Sequence, residues 1–231
     1  MDYRTNYRYF HKSLTPLIVG IVLAVLGFIN WYFGFLIDSW FTYNLTVVVM
    51  IVGLIIVLFF LVATTRDSQY DSTVKTKIKP LLEVANEKAL ASDKHVKIID
   101  DYVAESFLYG DRATELKKGR DGSFRTDVYS ATAFLISPHK LFVYNLTFSL
   151  IENKETESFK VFTYDAIEDI SVVPKVINIQ KEKNVYEINT HSIDIKTPDG
   201  IYSFTTHNDS LADGLILKVK NRKDKDENGE N

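Results

Sequence analysis

The chain has 231 residues, 46% of them hydrophobic, with a formal net charge of −3 and no cysteine. This length suits one ordinary domain plus a membrane segment and excludes two large soluble domains. The mildly acidic balance argues against nucleic-acid binding, and the lack of cysteine removes disulfides, thiol nucleophiles and Cys-type zinc sites.

Two apolar runs near the N-terminus predict a transmembrane hairpin. The first is residues 14–37 and the second is residues 45–63, and neither carries a charged side chain. About 20 apolar residues suffice to span the hydrocarbon core. A cleaved signal peptide is the alternative for the first run. A signal core has only about 7–15 apolar residues and ends at small residues, whereas this run ends in the bulky stretch WYFGFLI.

The basic residues predict the orientation of this hairpin. They lie on both outer flanks, and the connection, residues 38–44, contains none. Because Lys and Arg stay on the cytoplasmic side, both termini are expected in the cytoplasm of a multi-pass protein of the inner or plasma membrane. Residues 1–13 are then a cytoplasmic flank. The flanking basic residues are Arg4, Arg8, Lys12, Arg66, Lys75, Lys77 and Lys79.

Residues 64–94 predict an amphipathic helical connector. Its apolar side chains recur at helical spacing, and Pro80 is expected to divide the helix. The apolar stripe is expected to dock on the following domain or to pair with a second copy. Lys75, Lys77 and Lys79 are close enough to the second span to contact anionic lipid, at about 1 kcal/mol each. The stripe consists of Val74, Ile78, Leu81, Ala85 and Ala89.

Residues 95–223 predict a mainly β domain. Residues 124–137 and 140–151 alternate as two strands around a turn at Pro138, and several further strand candidates follow up to Thr206. Residues 208–223 predict a C-terminal helix, and the polar tail, residues 224–231, is expected to be disordered. Antiparallel strands followed by one helix favour a curved sheet or open barrel that the helix closes.

Three stretches resemble the bacterial pleckstrin-homology-like (PH-like) family, and the whole chain is similar to its members with two N-terminal transmembrane helices. The stretches are TAFLISPHKLFVYN, FTYDAIEDISV and GIYSFTTHNDSLADGLILKV, within residues 124–221. The resemblance implies a bent barrel of about seven antiparallel strands closed by the C-terminal helix. It does not imply lipid recognition, because the first hairpin loop, residues 137–140, holds a single lysine.

No catalytic or metal-binding pattern is recognisable, so the sequence predicts a protein without enzymatic activity, cofactor, metal or small-molecule substrate. The histidines lack metal-type spacing, and the adjacent acid pairs would point to opposite faces of a strand. The most basic stretch of the domain is a candidate lipid or ligand patch, although such runs are usually solvated loops. Its cations are Lys117, Lys118, Arg120 and Arg125.

Three functional hypotheses follow. The first is a membrane-anchored, non-enzymatic interaction or scaffold module that binds protein partners or its own copies at the cytoplasmic face, with membrane lipids around its helices. The second is a sensor of anionic lipid headgroups that uses the basic patch. The third is a homo-oligomeric channel or transport subunit with a regulatory domain, although uncharged spans without a filter motif argue against it.

Overall fold

The structure, a computed structural model, describes residues 1–11, 13–34, 39–62, 66–110, 113–181, 184–207 and 209–227. The chain divides into two compact units. Residues 5–70 form the helical unit, and residues 1–4 together with the chain from Asp71 onward form the β domain.

The helical unit contains two helices that are long and apolar enough to cross a membrane. Helix α1, Tyr3–Phe10, lies within the predicted flank and was not expected. Helix α2 is Thr15–Phe33 and helix α3 is Trp40–Val62. The end of the first predicted span, residues 35–37, lies outside the described residues.

Helix α3 begins five residues earlier than the sequence predicts. Ser39 and Thr42 form a reciprocal cap, in which each side-chain oxygen accepts a hydrogen bond from the other residue's backbone N–H, at 3.3 and 3.1 Å. Such a cap satisfies amide groups that the first turn of a helix leaves without partners. Residues 40–44 of the predicted connection therefore belong to the helix.

Glycines let α2 and α3 approach closely, as small residues do between membrane helices. A Cβ atom on Gly53 would lie 2.5 Å from the backbone nitrogen of Ala24, and one on Gly27 would lie 2.8 Å from Cβ of Met50. Polar contacts also join these helices: the Asn30 amide donates to the Thr46 hydroxyl at 2.6 Å, and the Trp31 indole N–H donates to the Tyr43 hydroxyl at 3.3 Å.

The connector is two helices, α4 (Asp67–Ile78) and α5 (Leu81–Ser92), which are divided at Pro80 as predicted. Within the β domain, α5 packs on β4 and β5. Leu81, Ala85 and Ala89 of the stripe are buried. The first alternative for the stripe, docking on the following domain, is therefore the one that the structure shows.

The β domain is built from antiparallel sheets. One sheet has four strands in the order β1-β4-β5-β6, a second has three in the order β7-β8-β9, and β2 pairs with β3 alone. The strands are β1 Asp100–Phe107, β2 Leu116–Lys118, β3 Phe124–Thr126, β4 Val128–Ile136, β5 Lys140–Ser149, β6 Glu155–Thr163, β7 Asp169–Lys181, β8 Asn184–Thr197 and β9 Gly200–Thr206.

The four-stranded sheet is covered on both faces, which explains why nearly every residue of β4 is buried. Phe134 and Ile136 point into a core shared with the three-stranded sheet, where Phe134 meets Phe204 edge to face at 5.5 Å. Alternate residues such as Ala133 point to the opposite face, on the side where α5 packs. The hairpin predicted around Pro138 is the pairing of β4 with β5.

Helix α6, Asp209–Glu227, places Ala212, Leu215 and Val219 in the shared core. It runs four residues into the predicted disordered tail, and the tail's last residues, 228–231, lie outside the described ones.

The described strands number nine rather than the predicted seven. They form separate sheets, without a closed barrel among them.

Two predicted strand candidates are one strand. β7 runs through Pro174 and joins the candidates at residues 164–173 and 176–182, which the sequence left open as one long strand or two short ones. Proline removes a hydrogen-bond donor from the ladder and is therefore tolerated on edge strands. β7 is an edge of its sheet, so only one side of the strand needs its donors.

Candidate functional site

A cavity of about 560 Å³ lies in the β domain, and we call it the β1–β8 cavity. It is lined by parts of α4, β1, β3, β4 and β8. β9 pairs with β8 only from His191 onward, so the preceding part of β8, residues 187–190, lines the cavity instead of extending the sheet. The volume lies within the range of small-molecule sites.

Two polar atoms in the cavity wall are buried without a hydrogen-bond partner: Oε2 of Glu105 and Oγ1 of Thr190. They are the two such side-chain atoms found in the described part of the chain. Because leaving a buried polar group unsatisfied costs about 1–3 kcal/mol, these atoms mark a place where a bound group would be stabilised. Both residues line the same cavity although they are distant in sequence.

Tyr129 lies beside Glu105 in the cavity wall. Burial, with smaller effects from the charge of Glu105 and from hydrogen bonding to it, raises the pKa of Tyr129. Tyr129 therefore stays protonated. Phe107 packs edge to face on the Tyr129 ring at 4.9 Å. Burial also raises the pKa of Tyr109, in the same wall, to about 12.

Arg125 also lines the cavity, but acidic partners surround its guanidinium group. Its Nε and Nη2 donate to the two carboxylate oxygens of Asp71, each at 2.8 Å. Its Nη1 and Nη2 donate to Asp121 at 3.0 and 2.8 Å. These hydrogen bonds lower the pKa of Asp121 to about 2. The charge of Arg125 is thus neutralised by the protein itself.

The four cations predicted as one patch differ in burial and in their place on the β2–β3 hairpin. Lys117 and Arg125 are cross-strand partners in the β2–β3 hairpin, and Arg125 is buried. Lys118 belongs to the neighbouring pair, and its Nζ lies 5.5 Å from the centre of the Phe124 ring. Arg120 is exposed in the turn. The basic stretch is therefore a short hairpin rather than a loop.

The predicted membrane-proximal lysines also differ from one another. Lys77 forms an ion pair with Glu155 of β6, with 2.6 Å between Nζ and Oε2. Lys75 is exposed and lines the β1–β8 cavity, and Lys79 is exposed. The structure therefore assigns Lys77 a structural contact inside the β domain.

The far half of the β7–β8 hairpin is a second candidate surface. Residues 176–181 pair with residues 184–189 beyond the end of β9. Val176 and Val185 are 59% and 67% exposed there. The outer edge of β7 pairs with no described strand. Such edges accept extended chains of partner proteins.

Glu105, Tyr129 and Thr190 are not among the site residues predicted from the sequence. The acids weighed there as a possible catalytic site are adjacent pairs, whereas Glu105 is a single acid in the strand YVAESF. A lone carboxylate among apolar neighbours in a strand was the available signal.

In the described part of the chain, no group of three His, Asp or Glu residues is placed to hold a metal ion.

Comparisons with protein-family models, with curated proteins and with solved structures find no match to this chain.

Proposed function

We propose that this chain is a membrane-anchored, non-enzymatic interaction module. In this proposal, α2 and α3 anchor the chain with both termini in the cytoplasm, and the β domain binds a protein partner or a second copy of the chain. The distribution of Lys and Arg supports the orientation. An anchored module needs only modest affinity, because confinement to the membrane raises the local concentration of its partners.

We further propose that the β domain is PH-like in arrangement. Four- and three-stranded antiparallel sheets share one core, and the C-terminal helix adds Leu215 and Val219 to it. A backbone hydrogen bond from His207 N–H to the Glu105 carbonyl, at 3.1 Å, brings the end of β9 beside β1. The β2–β3 hairpin is then an insertion after the first strand.

The observation that carries the interaction hypothesis is the far half of the β7–β8 hairpin. It exposes Val176 and Val185 beside an unpaired strand edge. The edge of β6 is different, because Glu155 and Glu157 on that strand form ion pairs with Lys77 and Lys88. Of these two edges, that of β7 is therefore the better suited to strand addition.

The absence of cysteine from the chain makes a clean test possible. Val185→Cys and Val176→Cys variants of the chain, in native membranes, would be labelled with a maleimide that carries a photoactivatable diazirine and then irradiated. We expect a discrete adduct from each, at twice the chain mass for self-association or at another fixed mass for a partner.

Ser39→Cys tests orientation. An impermeant maleimide on intact cells should label this cysteine and leave Val185→Cys unlabelled.

Two results would overturn the proposal. One is a hairpin cysteine that reacts fully with maleimide yet yields only monomer at both positions. The other is surface labelling of Val185→Cys in intact cells, which would place the β domain outside the cytoplasm.

A further inference from the structure

The electrostatics of the β1–β8 cavity favour a cation over an anion. The cations of its lining are Arg125, which carboxylates already neutralise, and Lys75, which is exposed. Asp71 is already held by two hydrogen bonds from Arg125. The carboxylate of Glu105 keeps one enclosed oxygen without a hydrogen-bond partner. An anionic ligand would be repelled there, whereas a charged donor would gain a short, strong hydrogen bond.

Aromatic rings line the same cavity as this carboxylate. Tyr129 lies beside Glu105, and Phe107 packs on Tyr129. Tyr109 and Phe124 belong to the same lining. Aromatic faces attract organic cations through their quadrupole, and apolar side chains in the wall accommodate a hydrocarbon group. A carboxylate among aromatic rings is the chemistry that recognises an ammonium group attached to an apolar body.

We propose that the β1–β8 cavity binds a small organic cation, a primary or secondary ammonium attached to an apolar group. The ammonium donates to Oε2 of Glu105, and the Thr190 hydroxyl forms a second polar contact. Phe107 and Tyr129 contact the apolar part. Because this site is separate from the exposed hairpin valines, ligand binding goes beyond the proposed partner binding and does not depend on it.

Three isosteric probes separate charge from shape: phenethylamine, phenethyl alcohol and phenylacetate. Binding to the purified full-length chain in nanodiscs would be measured by titration calorimetry and by the shift in melting temperature. We expect the amine to bind at least about tenfold more tightly than the alcohol, which corresponds to one charge-assisted hydrogen bond. We expect no binding of phenylacetate.

Variants assign the contact to particular atoms. Glu105→Gln keeps the shape and an acceptor for Tyr129 but removes the charge, so the amine should lose about tenfold in affinity and its advantage over the alcohol. Thr190→Val should weaken the amine and the alcohol to a similar extent, and it tests the site independently if Glu105→Gln folds poorly. Glu187→Gln, which neutralises an exposed carboxylate of the same lining, is the matched control and should change affinity less than about twofold.

An ammonium group has two natural sources, a soluble amine or the ethanolamine headgroup of a lipid. Nanodiscs with phosphatidylethanolamine should lower the apparent affinity for phenethylamine if the headgroup competes. Equal affinity in discs of phosphatidylglycerol alone identifies a soluble amine, and both results support the ammonium site. The proposal fails if phenylacetate binds as well as the amine, or if Glu187→Gln weakens the amine as much as Glu105→Gln does. Maleimide adducts at Val185→Cys would be unaffected by that failure.

Discussion

Arg125 and Asp71 are joined by two parallel hydrogen bonds, each 2.8 Å long, between the guanidinium and the carboxylate. The side chain of Arg125 is only 6% exposed, while that of Asp71 is 35% exposed. This fork-to-fork geometry ties α4 to the β2–β3 hairpin and requires arginine, because lysine has a single donor centre. Arg125 is therefore a structural residue in this fold.

Replacing Arg125 should destabilise the β domain. Arg125→Met leaves Asp71 and Asp121 without their shared donor, and we expect a loss of about 2 kcal/mol in the free energy of unfolding. Arg125→Lys should recover less than half of this. Lys118→Met, on the same hairpin, is the control and should cost less than about 0.5 kcal/mol. Denaturant unfolding followed by circular dichroism measures all three, and equal stabilities of Arg125→Met and Lys118→Met would contradict the structural role.

The β domain should lose stability in acid. Hydrogen bonds from Arg125 lower the pKa of Asp121 to about 2, and those from Lys140 and Lys88 lower the pKa of Asp93 and Glu157. A carboxyl whose pKa is lower in the folded state stabilises the fold above its unfolded pKa, and this stabilisation disappears as pH falls through the folded value. The melting temperature should therefore fall between about pH 4.5 and about pH 2.

The contribution of Asp121 is separable from the others. In Asp121→Asn the advantage of the wild-type chain in melting temperature should shrink as pH decreases from about 4 to about 2, because both chains are then uncharged at this position. A difference that stays constant over this range would show that the Asp121 charge contributes nothing.

Close packing of the membrane hairpin should depend on Gly53. A Cβ atom there would lie 2.7 Å from the Gly20 carbonyl oxygen, so Gly53→Val must push α2 and α3 apart. Leu54→Val places the same side chain at the adjacent position, which is 48% exposed. The chain has two tryptophans, Trp31 and Trp40, one in each of these helices.

Tryptophan fluorescence therefore reports on this hairpin selectively. In detergent, we expect thermal unfolding of Gly53→Val several degrees below the wild-type chain, and that of Leu54→Val within about one degree. Equal melting of the two variants would show that the glycine contact does not stabilise the hairpin.

Docking of α5 should be disrupted by a charged residue at position 89 and should tolerate one at position 90. Ala89 is fully buried and Leu90 is 50% exposed. Ala89→Asp buries a charge without a partner and should cost about 3 kcal/mol or more, whereas Leu90→Asp should cost less than about 0.5 kcal/mol. Urea unfolding of the full chain measures both. A cost for Leu90→Asp that matched Ala89→Asp would mean that the opposite face of α5 is also buried by a partner.

Much of the fold was predictable because it follows from local pattern. The two apolar spans, the division at Pro80, the turn at Pro138 and the C-terminal helix each depend on residues close together in the chain. The start of α3 was missed because the Ser39–Thr42 cap is a polar signal inside a stretch judged by its apolar content. Whether the strand candidates on either side of Pro174 form one strand stayed open, because only the sheet order shows that Pro174 lies on an edge.

The sequence alone determined which segments are apolar, which alternate as strands, and which side of a membrane the basic flanks favour. The tertiary structure decided the candidate site. Pairing of β1 with β4 sets Phe107 opposite Tyr129, and the extension of β8 past β9 places Thr190 in the same cavity as Glu105. The tertiary structure also encloses Arg125 between two carboxylates, although the sequence suggests an exposed cation there. The reason is physical: hydrophobic periodicity is a local property, whereas the partner of a buried charge is set by long-range strand pairing.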